Sequence, residues 1–306
     1  MLYYLGIDGG GTKTTCAVGD STKLLATATA GPSNIVRVGA AQARDSLHLA
    51  IRQACAAAGI TPEQVERTCV GGSGAARPEL AQVVREILQE ILTTPIDVVG
   101  DMQIALEAAV GEGPGVIVIA GTGSIAYGRD RQGKTLRAGG WGFAIGDEGS
   151  AHWIGRAAIS ALLRHSDEDQ KIAGSSLAQS LFKAWKVNSL ADLARAANSI
   201  PPPDFAALLP AVISARDTIA REVLNAGGRE LAKLVAVLVR RLFGEQDMDP
   251  IPVGVTGGVF RHSELVREVF YNELGRLDPR TQINLQVVDA VEGALGMARR
   301  AASNRN

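Results

Sequence analysis

The sequence has few cysteines and no excess of charge of either sign. Its three cysteines, Cys16, Cys55 and Cys69, form no CxxC pair, and an odd number in a chain of 306 residues fits a reducing compartment better than a disulfide framework. The 31 Lys and Arg residues nearly balance the 32 Asp and Glu residues, so the formal net charge is -1. No basic field exists that would attract nucleic acid or anionic lipid irrespective of sequence. We therefore expect a cytoplasmic protein that binds neither nucleic acid nor a membrane.

Long apolar runs and metal-binding motifs are also missing. No uninterrupted apolar stretch reaches the roughly 18 residues needed to cross a bilayer, and the first residues, MLYYLGIDGGG, lack the basic and apolar segments of a targeting signal. The histidines are scattered without HExxH or other zinc-ligand spacing. These absences argue against a spanning segment and against a catalytic metal held by a dedicated set of protein ligands.

Glycine is the residue in excess, with 35 among 306 residues, against roughly 7% in ordinary proteins. Two glycine-rich segments have matching surroundings, LGIDGGGTKTTCAVGD (5–20) and VIVIAGTGSIAYGRD (116–130). Both are typical of a strand, a glycine turn with Thr or Ser, a returning strand and a turn opened by Asp. The similarity predicts a duplicated domain whose two copies face each other across a cleft.

Strand-like apolar runs alternate with helical periodicity along the chain. Strands are predicted at 2–7, 14–18, 68–70, 96–99, 116–120, 125–129, 251–255 and 283–287. Helices are predicted over 40–58 and 78–92 and from Met102, His262 and Asp289, with a helical middle from Ala151 to about Phe243. The alternation indicates an α/β protein with mostly parallel sheets. We expect a first domain of residues 1–113, a larger second domain of residues 114–288, and a last helix, 289–306, that packs back on the first domain.

The first glycine turn runs from Asp8 to Thr14 (DGGGTKT). Phosphate oxygens need several main-chain N–H groups at close range, and glycine lets the backbone approach without a Cβ in the way. The candidate phosphate-binding residues are Gly9, Gly10, Gly11, Thr12 and Lys13, and Asp8 is the candidate Mg²⁺ ligand, directly or through water. This is not a Walker A loop, because Thr12 separates Gly11 from Lys13. The alternative is a tight β-hairpin whose glycines only supply positive φ and whose Asp8 stabilises the turn.

The second glycine turn matches the dinucleotide fingerprint GxGxxG/A in the segment Gly121–Ala126. That fingerprint requires a helix after the turn and an acidic residue about 20 positions further on. Residues 125–129 instead return as a strand, and the region near Trp141 supplies no carboxylate. The dehydrogenase interpretation therefore fails. We expect the second turn to grip a polyphosphate from the side opposite the first turn, through Gly121, Thr122, Gly123 and Ser124.

The motifs occur in a characteristic order along the chain. They are Asp8 to Thr14, Gly31 to Asn34, Gly100-Asp101, Gly121 to Ser124, Gly139 to Gly142, Gly146 to Ala151 and Thr256 to Phe260. In this order the chain resembles the BadF/BadG/BcrA/BcrD ATPase family, a group of the sugar kinase, Hsp70 and actin superfamily that includes amino-sugar kinases. The resemblance implies a two-lobed actin-like (ribonuclease H-like) duplicated ATPase fold with a helical insert in the second domain, and ATP and Mg²⁺ as cofactors. It also implies that Thr12 and Thr122 contact the nucleotide and that Gly257 and Gly258 lie at the adenosine site.

Asp101 is the candidate general base. It follows the predicted strand 96–99, and α/β sheets bind ligands at the carboxyl ends of their strands. Direct phosphoryl transfer needs a carboxylate that takes the proton of the acceptor hydroxyl, and the resembling kinases carry their base at the matching Asp. The alternative role is that of an N-cap for the helix predicted from Met102.

Two segments of the second domain are candidates for holding the acceptor. The sequence GGWGF (139–143) combines glycines, whose main-chain groups are accessible, with an indole that can lie against a pyranose. The sequence GDEGSA (146–151) presents two adjacent carboxylates. The resemblance implies that the sugar is contacted by Asn34, Asp101, Gly140, Trp141, Gly142 and Asp147, to which we add Glu148. The alternatives are that Trp141 belongs to the core and that Asp147 and Glu148 complement a helix dipole.

The resemblance, together with these residues, implies an ATP-dependent amino-sugar kinase acting on the 6-hydroxyl of N-acetyl-D-glucosamine, with glucosamine and N-acetylmuramic acid as alternative substrates. We expect the residues that read the 2-substituent in the helical insert between Ala157 and Pro210. A second hypothesis is an ATP-driven activator of a reductase or dehydratase, but such activators share an iron–sulfur cluster through cysteines, and all three cysteines here are expected to be buried. A third is a non-catalytic sugar sensor. The resemblance is also compatible with a homodimer.

Overall fold

The computed structural model describes residues 2–72, 74, 75, 77–168 and 170–303. The chain forms two compact units, Met1–Gly113 with Val288–Asn306, and Pro114–Val287.

The first unit contains a five-stranded sheet in the order β3-β2-β1-β4-β5. Its strands are β1 (Tyr3–Gly9), β2 (Thr14–Gly19), β3 (Leu24–Ala30), β4 (Val65–Gly72) and β5 (Ile96–Gly100). Strand β2 is antiparallel to β1 and β3, whereas β4 lies parallel between β1 and β5. The helices that follow β3, β4 and β5 are α1 (Ile35–Ala57), α2 (Pro78–Gln89) and α3 (Asp101–Val110). Apolar residues of β1 and α1, such as Ile7 and Ile51, are fully buried in the core of this unit.

Helix α1 begins five residues before the predicted start at residue 40. Its N-cap is Asn34, whose side chain accepts hydrogen bonds from the N–H groups of Val36 and Arg37. Gly39 then departs from helical geometry, with φ 79° and ψ 164°. The apolar periodicity starts only after this interruption, which is why the sequence predicted the later start.

The second unit contains a five-stranded sheet of matching topology, in the order β10-β9-β6-β7-β8. Its strands are β6 (Gly115–Ala120), β7 (Ser124–Arg129), β8 (Thr135–Gly139), β9 (Ile251–Thr256) and β10 (Thr281–Val287). Strand β7 is antiparallel to β6 and β8, and β9 lies parallel between β6 and β10. Each sheet therefore has a three-stranded antiparallel half that continues into two parallel strands.

A set of helices separates β8 from β9 in the second unit. They are α4 (Ala151–Glu168), α5 (Ser176–Trp185), α6 (Leu190–Ala197), α7 (Leu209–Ser214) and α8 (Thr218–Phe243). The apolar face of α8 belongs to the core, with Leu231, Val235 and Leu238 fully buried. Although α8 has 26 residues, neither it nor any other helix of the described residues is apolar enough to cross a membrane.

The helix predicted from His262 is α10 (Glu264–Leu277), and a short helix that was not predicted, α9 (Gly258–His262), precedes it. They separate at Ser263, whose hydroxyl accepts a hydrogen bond from the N–H of Val266 and so begins α10 with its own N-cap.

The last helix, α11 (Ala290–Ser303), returns to the first unit and packs against β1 and α3. Gly293 lies at the contact with α3, where a Cβ would overlap the carbonyl oxygen of Ile104. The missing side chain therefore allows the backbones of α3 and α11 to touch.

We expect Gly293→Ala to destabilise the protein by more than about 2 kcal/mol, because backbone atoms of α3 would have to move. Gly296→Ala is the matched control on the same helix. Its added Cβ would meet only the guanidinium of Arg300 at 3.6 Å, so this variant should be neutral or stabilised by up to about 1 kcal/mol. Urea denaturation measures both effects, and equal stability of the two variants would contradict the close contact.

Candidate active site

The first glycine turn joins the antiparallel strands β1 and β2. Inside it, the N–H of Gly10 donates to the carbonyl oxygen of Lys13 at 3.0 Å. The carbonyl oxygen of Gly10 accepts from the N–H groups of Ser33 and Asn34 at 3.1 and 3.2 Å. The turn is thereby fixed to the segment that begins α1.

The backbone of this turn fits an anion. Within the described part of the chain, the main-chain N–H groups of Gly11, Thr12 and Lys13 have no hydrogen-bond partner. Gly9, Gly10 and Gly11 all have negative φ. The hairpin alternative required glycine at these positions in order to supply positive φ, so it does not explain them. Several unpaired N–H groups in one turn suit phosphate oxygens.

Asp8, at the end of β1, lies in an acidic environment within the first unit. Burial, followed by the negative charge of Asp101, raises the pKa of Asp8 to about 6, while Lys13 opposes the rise and Asp289 adds to it. Neighbouring carboxylates that repel one another suit a divalent cation, so the donor chemistry fits Mg²⁺. Among the described residues no group of three or more His, Cys, Asp or Glu side chains could hold a metal. A Mg²⁺ ion at Asp8 would therefore complete its shell with water and phosphate oxygens.

Asp101 is the first residue of α3 and directly follows β5. Gly100 is the N-cap of that helix, and the Gln103 side chain accepts from the N–H of Gly100 at 2.9 Å. The Oδ1 atom of Asp101 accepts from the N–H of Met102 at 2.9 Å, which orients the carboxylate at the start of the helix. Asp101 is therefore not the N-cap, and its carboxylate lies close enough to Asp8 to raise the pKa of that residue.

Only one end of the Asn34 side-chain amide is hydrogen-bonded within the protein. Its Oδ1 atom accepts from the N–H groups of Val36 at 3.1 Å and Arg37 at 3.3 Å. The side-chain NH₂ group has no partner among the residues described, so it can donate to a sugar oxygen.

The second glycine turn is fixed by the start of α4. The N–H of Gly121 donates to the carbonyl oxygen of Gly123 at 2.9 Å. The carbonyl oxygens of Gly121 and Thr122 accept from the N–H groups of Ala151 at 2.9 Å and His152 at 3.3 Å. The N–H of Thr122 has no partner in the described part of the chain, so this turn also offers a donor to an anion.

Asp147 connects the second glycine turn to the Gly139–Gly142 segment. It has left-handed backbone geometry, with φ 62°, and its side chain is buried. A Cβ on Gly123 would lie 2.6 Å from Oδ2 of Asp147, and Oδ1 accepts from the N–H of Gly142 at 3.4 Å. Burial raises the pKa of Asp147, while hydrogen bonds from the N–H groups of Gly142 and Ser124 oppose the rise. The carboxylate thus supports both backbone segments that the sequence predicted to bind ligands.

Trp141 lies at the surface of the second unit, with 68% of its area exposed, so the core interpretation is wrong. The guanidinium carbon of Arg137 lies 4.7 Å from the centre of its ring, in a cation–π contact. The neighbouring Gly140 donates its N–H to the carbonyl oxygen of Ser124 at 3.0 Å. The indole is therefore available to a sugar at a turn joined to the second glycine turn.

Glu148 is exposed, and its carbonyl oxygen accepts from the hydroxyl of Ser124 at 2.8 Å. The hydroxyl of Ser150 accepts from the N–H of Trp153 at 3.1 Å and so caps α4. The cap of this helix is thus supplied by a residue other than the two acidic ones before it.

Gly257 and Gly258 join β9 to α9. Gly257 has φ 103°, and a Cβ there would overlap the carbonyl group of Ala120, the residue before the second glycine turn. A Cβ on Gly258 would meet nothing within 4 Å. The structure therefore brings the predicted adenosine segment next to the predicted phosphate segment within the second unit.

Sequence reasoning missed Asp289, whose charge acts on Asp8 within the first unit. The available signal was its position between β10 and α11, which repeats the placement of Asp101 between a strand and a helix. Sequence reasoning also missed His152, whose ring lies 4.7 Å from that of Phe143 and 5.1 Å from that of Phe205. No spacing motif marked this residue.

The chain is similar to a known protein family and to several known proteins. The model of the BadF/BadG/BcrA/BcrD ATPase family matches residues 5–301. An N-acetylmuramic acid/N-acetylglucosamine kinase from Clostridium acetobutylicum is 31% identical over 98% of this chain and 99% of its own. A structure from Chromobacterium violaceum, assigned as an N-acetylglucosamine kinase, is 26% identical over 96% of this chain and 98% of its own, with a TM-score of 0.74. A ROK family glucokinase from Streptomyces griseus, in complex with glucose and AMPPNP, has a TM-score of 0.64 at 18% identity and covers 97% of this chain and 99% of its own.

The fold is the duplicated α/β fold of the actin-like sugar kinases, with a helical insert in the second unit, as the sequence predicted. The chain belongs to the BadF/BadG/BcrA/BcrD ATPase family, so the predicted resemblance is confirmed. Membership of an ATPase family implies that the protein uses ATP. All three cysteines are buried, which disfavours a shared iron–sulfur cluster.

Proposed function

We propose that this protein is an ATP-dependent sugar kinase that transfers the γ-phosphoryl group to the 6-hydroxyl of N-acetyl-D-glucosamine. The observation that carries the proposal is the grouping, within the first unit, of unpaired turn N–H groups with the carboxylates of Asp8 and Asp101. These are the donors, the metal ligand and the base that phosphoryl transfer to an alcohol requires. The similarity to kinases named for N-acetylglucosamine supports the choice of an amino sugar.

In the proposed reaction, Asp101 accepts the proton of the sugar 6-hydroxyl as its oxygen attacks the γ-phosphorus. A bond forms between that oxygen and phosphorus, the bond from phosphorus to the β–γ bridging oxygen breaks, and ADP leaves. The N–H groups of Gly11, Thr12 and Lys13 hold phosphate oxygens, and the Lys13 ammonium adds positive charge. A Mg²⁺ ion held by Asp8 would supply charge neutralisation of the phosphates.

The remaining predicted residues would position the two substrates. The proposal assigns the nucleotide to Gly9, Gly10, Gly121, Thr122, Gly123, Ser124, Gly257 and Gly258. It assigns the sugar to Asn34, Gly140, Trp141, Gly142, Asp147 and Glu148. Asn34 donates from its unpaired NH₂ group, and Trp141 offers an exposed aromatic face. A cytoplasmic location and a homodimer stay predictions from the sequence.

The test is a coupled ADP-release assay over N-acetylglucosamine, glucosamine, N-acetylmuramic acid, glucose and N-acetylmannosamine, with and without Mg²⁺. We expect the highest kcat/KM with N-acetylglucosamine, dependence on Mg²⁺, and a 6-phosphate product by ³¹P NMR. Sugar binding without ADP release would indicate a sensor instead. An iron–sulfur absorbance would indicate an activator, and either result would overturn the proposal.

A further inference from the structure

The first unit contains a small cavity that opens to solvent and has room for roughly one methyl- or water-sized group. It lies where the end of β1, the start of α1 and the start of α2 come together. The lining residues that matter most here are Gly9, Ser33, Ile35, Ala75, Leu80 and Val84. Leu47 and Val70 belong to the same lining, so its walls are almost entirely hydrocarbon.

The cavity adjoins two segments that the proposed function uses. Ser33 and Ile35 line it, and they flank Asn34, whose side-chain NH₂ group is unpaired among the described residues. Gly9 also lines it and belongs to the first glycine turn. A Cβ on Gly9 would lie 2.8 Å from the hydroxyl oxygen of Ser33, so a side chain at this position would narrow the cavity. The cavity therefore lies next to the residue that is proposed to hold the sugar, beside the phosphate-binding turn.

The chemistry of the lining selects among amino sugars. Among the residues that the structure describes, no charged side chain lines the cavity, and its one polar side chain, Ser33, shares a hydrogen bond of 2.7 Å with the hydroxyl of Thr14. An ammonium group would lose its water in such surroundings without gaining a counter-charge. A methyl group forms no hydrogen bonds with water, so its burial only removes apolar surface from water, which is favourable.

We infer that this cavity receives the methyl end of the 2-acetamido group, so that acyl preference is set in the first unit; this rests on the proposed function. The sequence had placed the residues that read the 2-substituent in the helical insert between Ala157 and Pro210. The helices of that insert lie in the second unit, whereas the cavity that fits an acyl group lies beside Asn34.

Two substitutions change the cavity in opposite directions. Ala75→Leu fills it and is expected to lower kcat/KM for N-acetylglucosamine about 10-fold, mainly through KM, with glucosamine changed less than about twofold. Leu80→Ala enlarges it and is expected to raise kcat/KM for N-butanoylglucosamine relative to N-acetylglucosamine about 10-fold. Leu80 is only partly buried, so its truncation should leave the fold intact if Ala75→Leu does not fold.

The matched control is Val83→Ala, which truncates a partly buried residue of α2 that does not line the cavity. It should leave the ratios between sugars unchanged. Parallel changes for all sugars in Leu80→Ala, or no change, would overturn the inference, as would wild-type protein that turns over glucosamine but not N-acetylglucosamine. Wild-type protein that phosphorylates no amino sugar would instead refute the proposed function.

Discussion

Replacing Asp101 by Asn is expected to lower sugar phosphorylation by about 10²- to 10⁴-fold, the usual contribution of a general base. The amide is nearly isosteric and can keep the hydrogen bond that Oδ1 accepts from Met102, so α3 should start as before. It cannot take the proton of the attacking hydroxyl. ATP affinity, measured by calorimetry, should stay close to that of the wild type, because the turn N–H groups are untouched. The loss should therefore appear in kcat rather than in nucleotide binding.

Asp97→Asn is the control for this prediction. Asp97 lies in β5, the strand that directly precedes Asp101, and pairs with Arg67 through two hydrogen bonds of 2.9 and 3.1 Å. Its replacement should lower the free energy of unfolding modestly and leave turnover near wild type. If Asp101→Asn turned over sugar as fast as Asp97→Asn, Asp101 would not be the base.

Replacing Asp8 by Asn is expected to remove Mg²⁺-dependent turnover while making the metal-free protein more stable. The pKa of Asp8 is raised to about 6, so between its unfolded pKa of 3.8 and about pH 6 the folded state binds more protons than the unfolded state. The contribution of Asp8 to the free energy of unfolding therefore falls as pH rises through that window. Above it, the ionised carboxylate costs the fold at most about 3 kcal/mol. Asn carries no charge and avoids this cost.

The measurement is denaturant unfolding of both proteins in EDTA, from about pH 4 to about pH 8. The stability difference should be near zero at the acid end and largest above about pH 6. Asp20→Asn serves as an opposite-sign control, because hydrogen bonds from the N–H groups of Lys23 and Thr22 lower the pKa of Asp20. An Asp8→Asn protein that is less stable at about pH 8 would show that the ionised carboxylate stabilises the fold.

The strands that carry the glycine turns could be predicted because they are buried and apolar. Strands β1, β2, β6 and β7 were located to within a few residues. The missed strands, β3 and β8, are edge strands in which exposed and partly buried residues predominate. Such strands are held by pairing with a neighbour, which a single sequence does not display.

The candidate site was predictable in its residue types but not in its internal contacts. Asp8 and Asp101 each follow a strand, which the sequence shows, but their proximity depends on the order β1-β4-β5. Asp147 was expected either to contact a sugar or to complement a helix dipole. Its left-handed backbone and its contact with Gly123 depend on packing between two distant turns, for which the sequence carried no signal.

The return of α11 to the first unit sets the order in which a nascent chain can complete its two units. A ribosome releases all of β1 to α3 early, but the helix that covers β1 and α3 is synthesised last. The second unit is continuous in the chain, so it can be complete while the first still waits for its final helix. Any fragment that ends at residue 287 would leave the apolar face of β1 uncovered and open to aggregation.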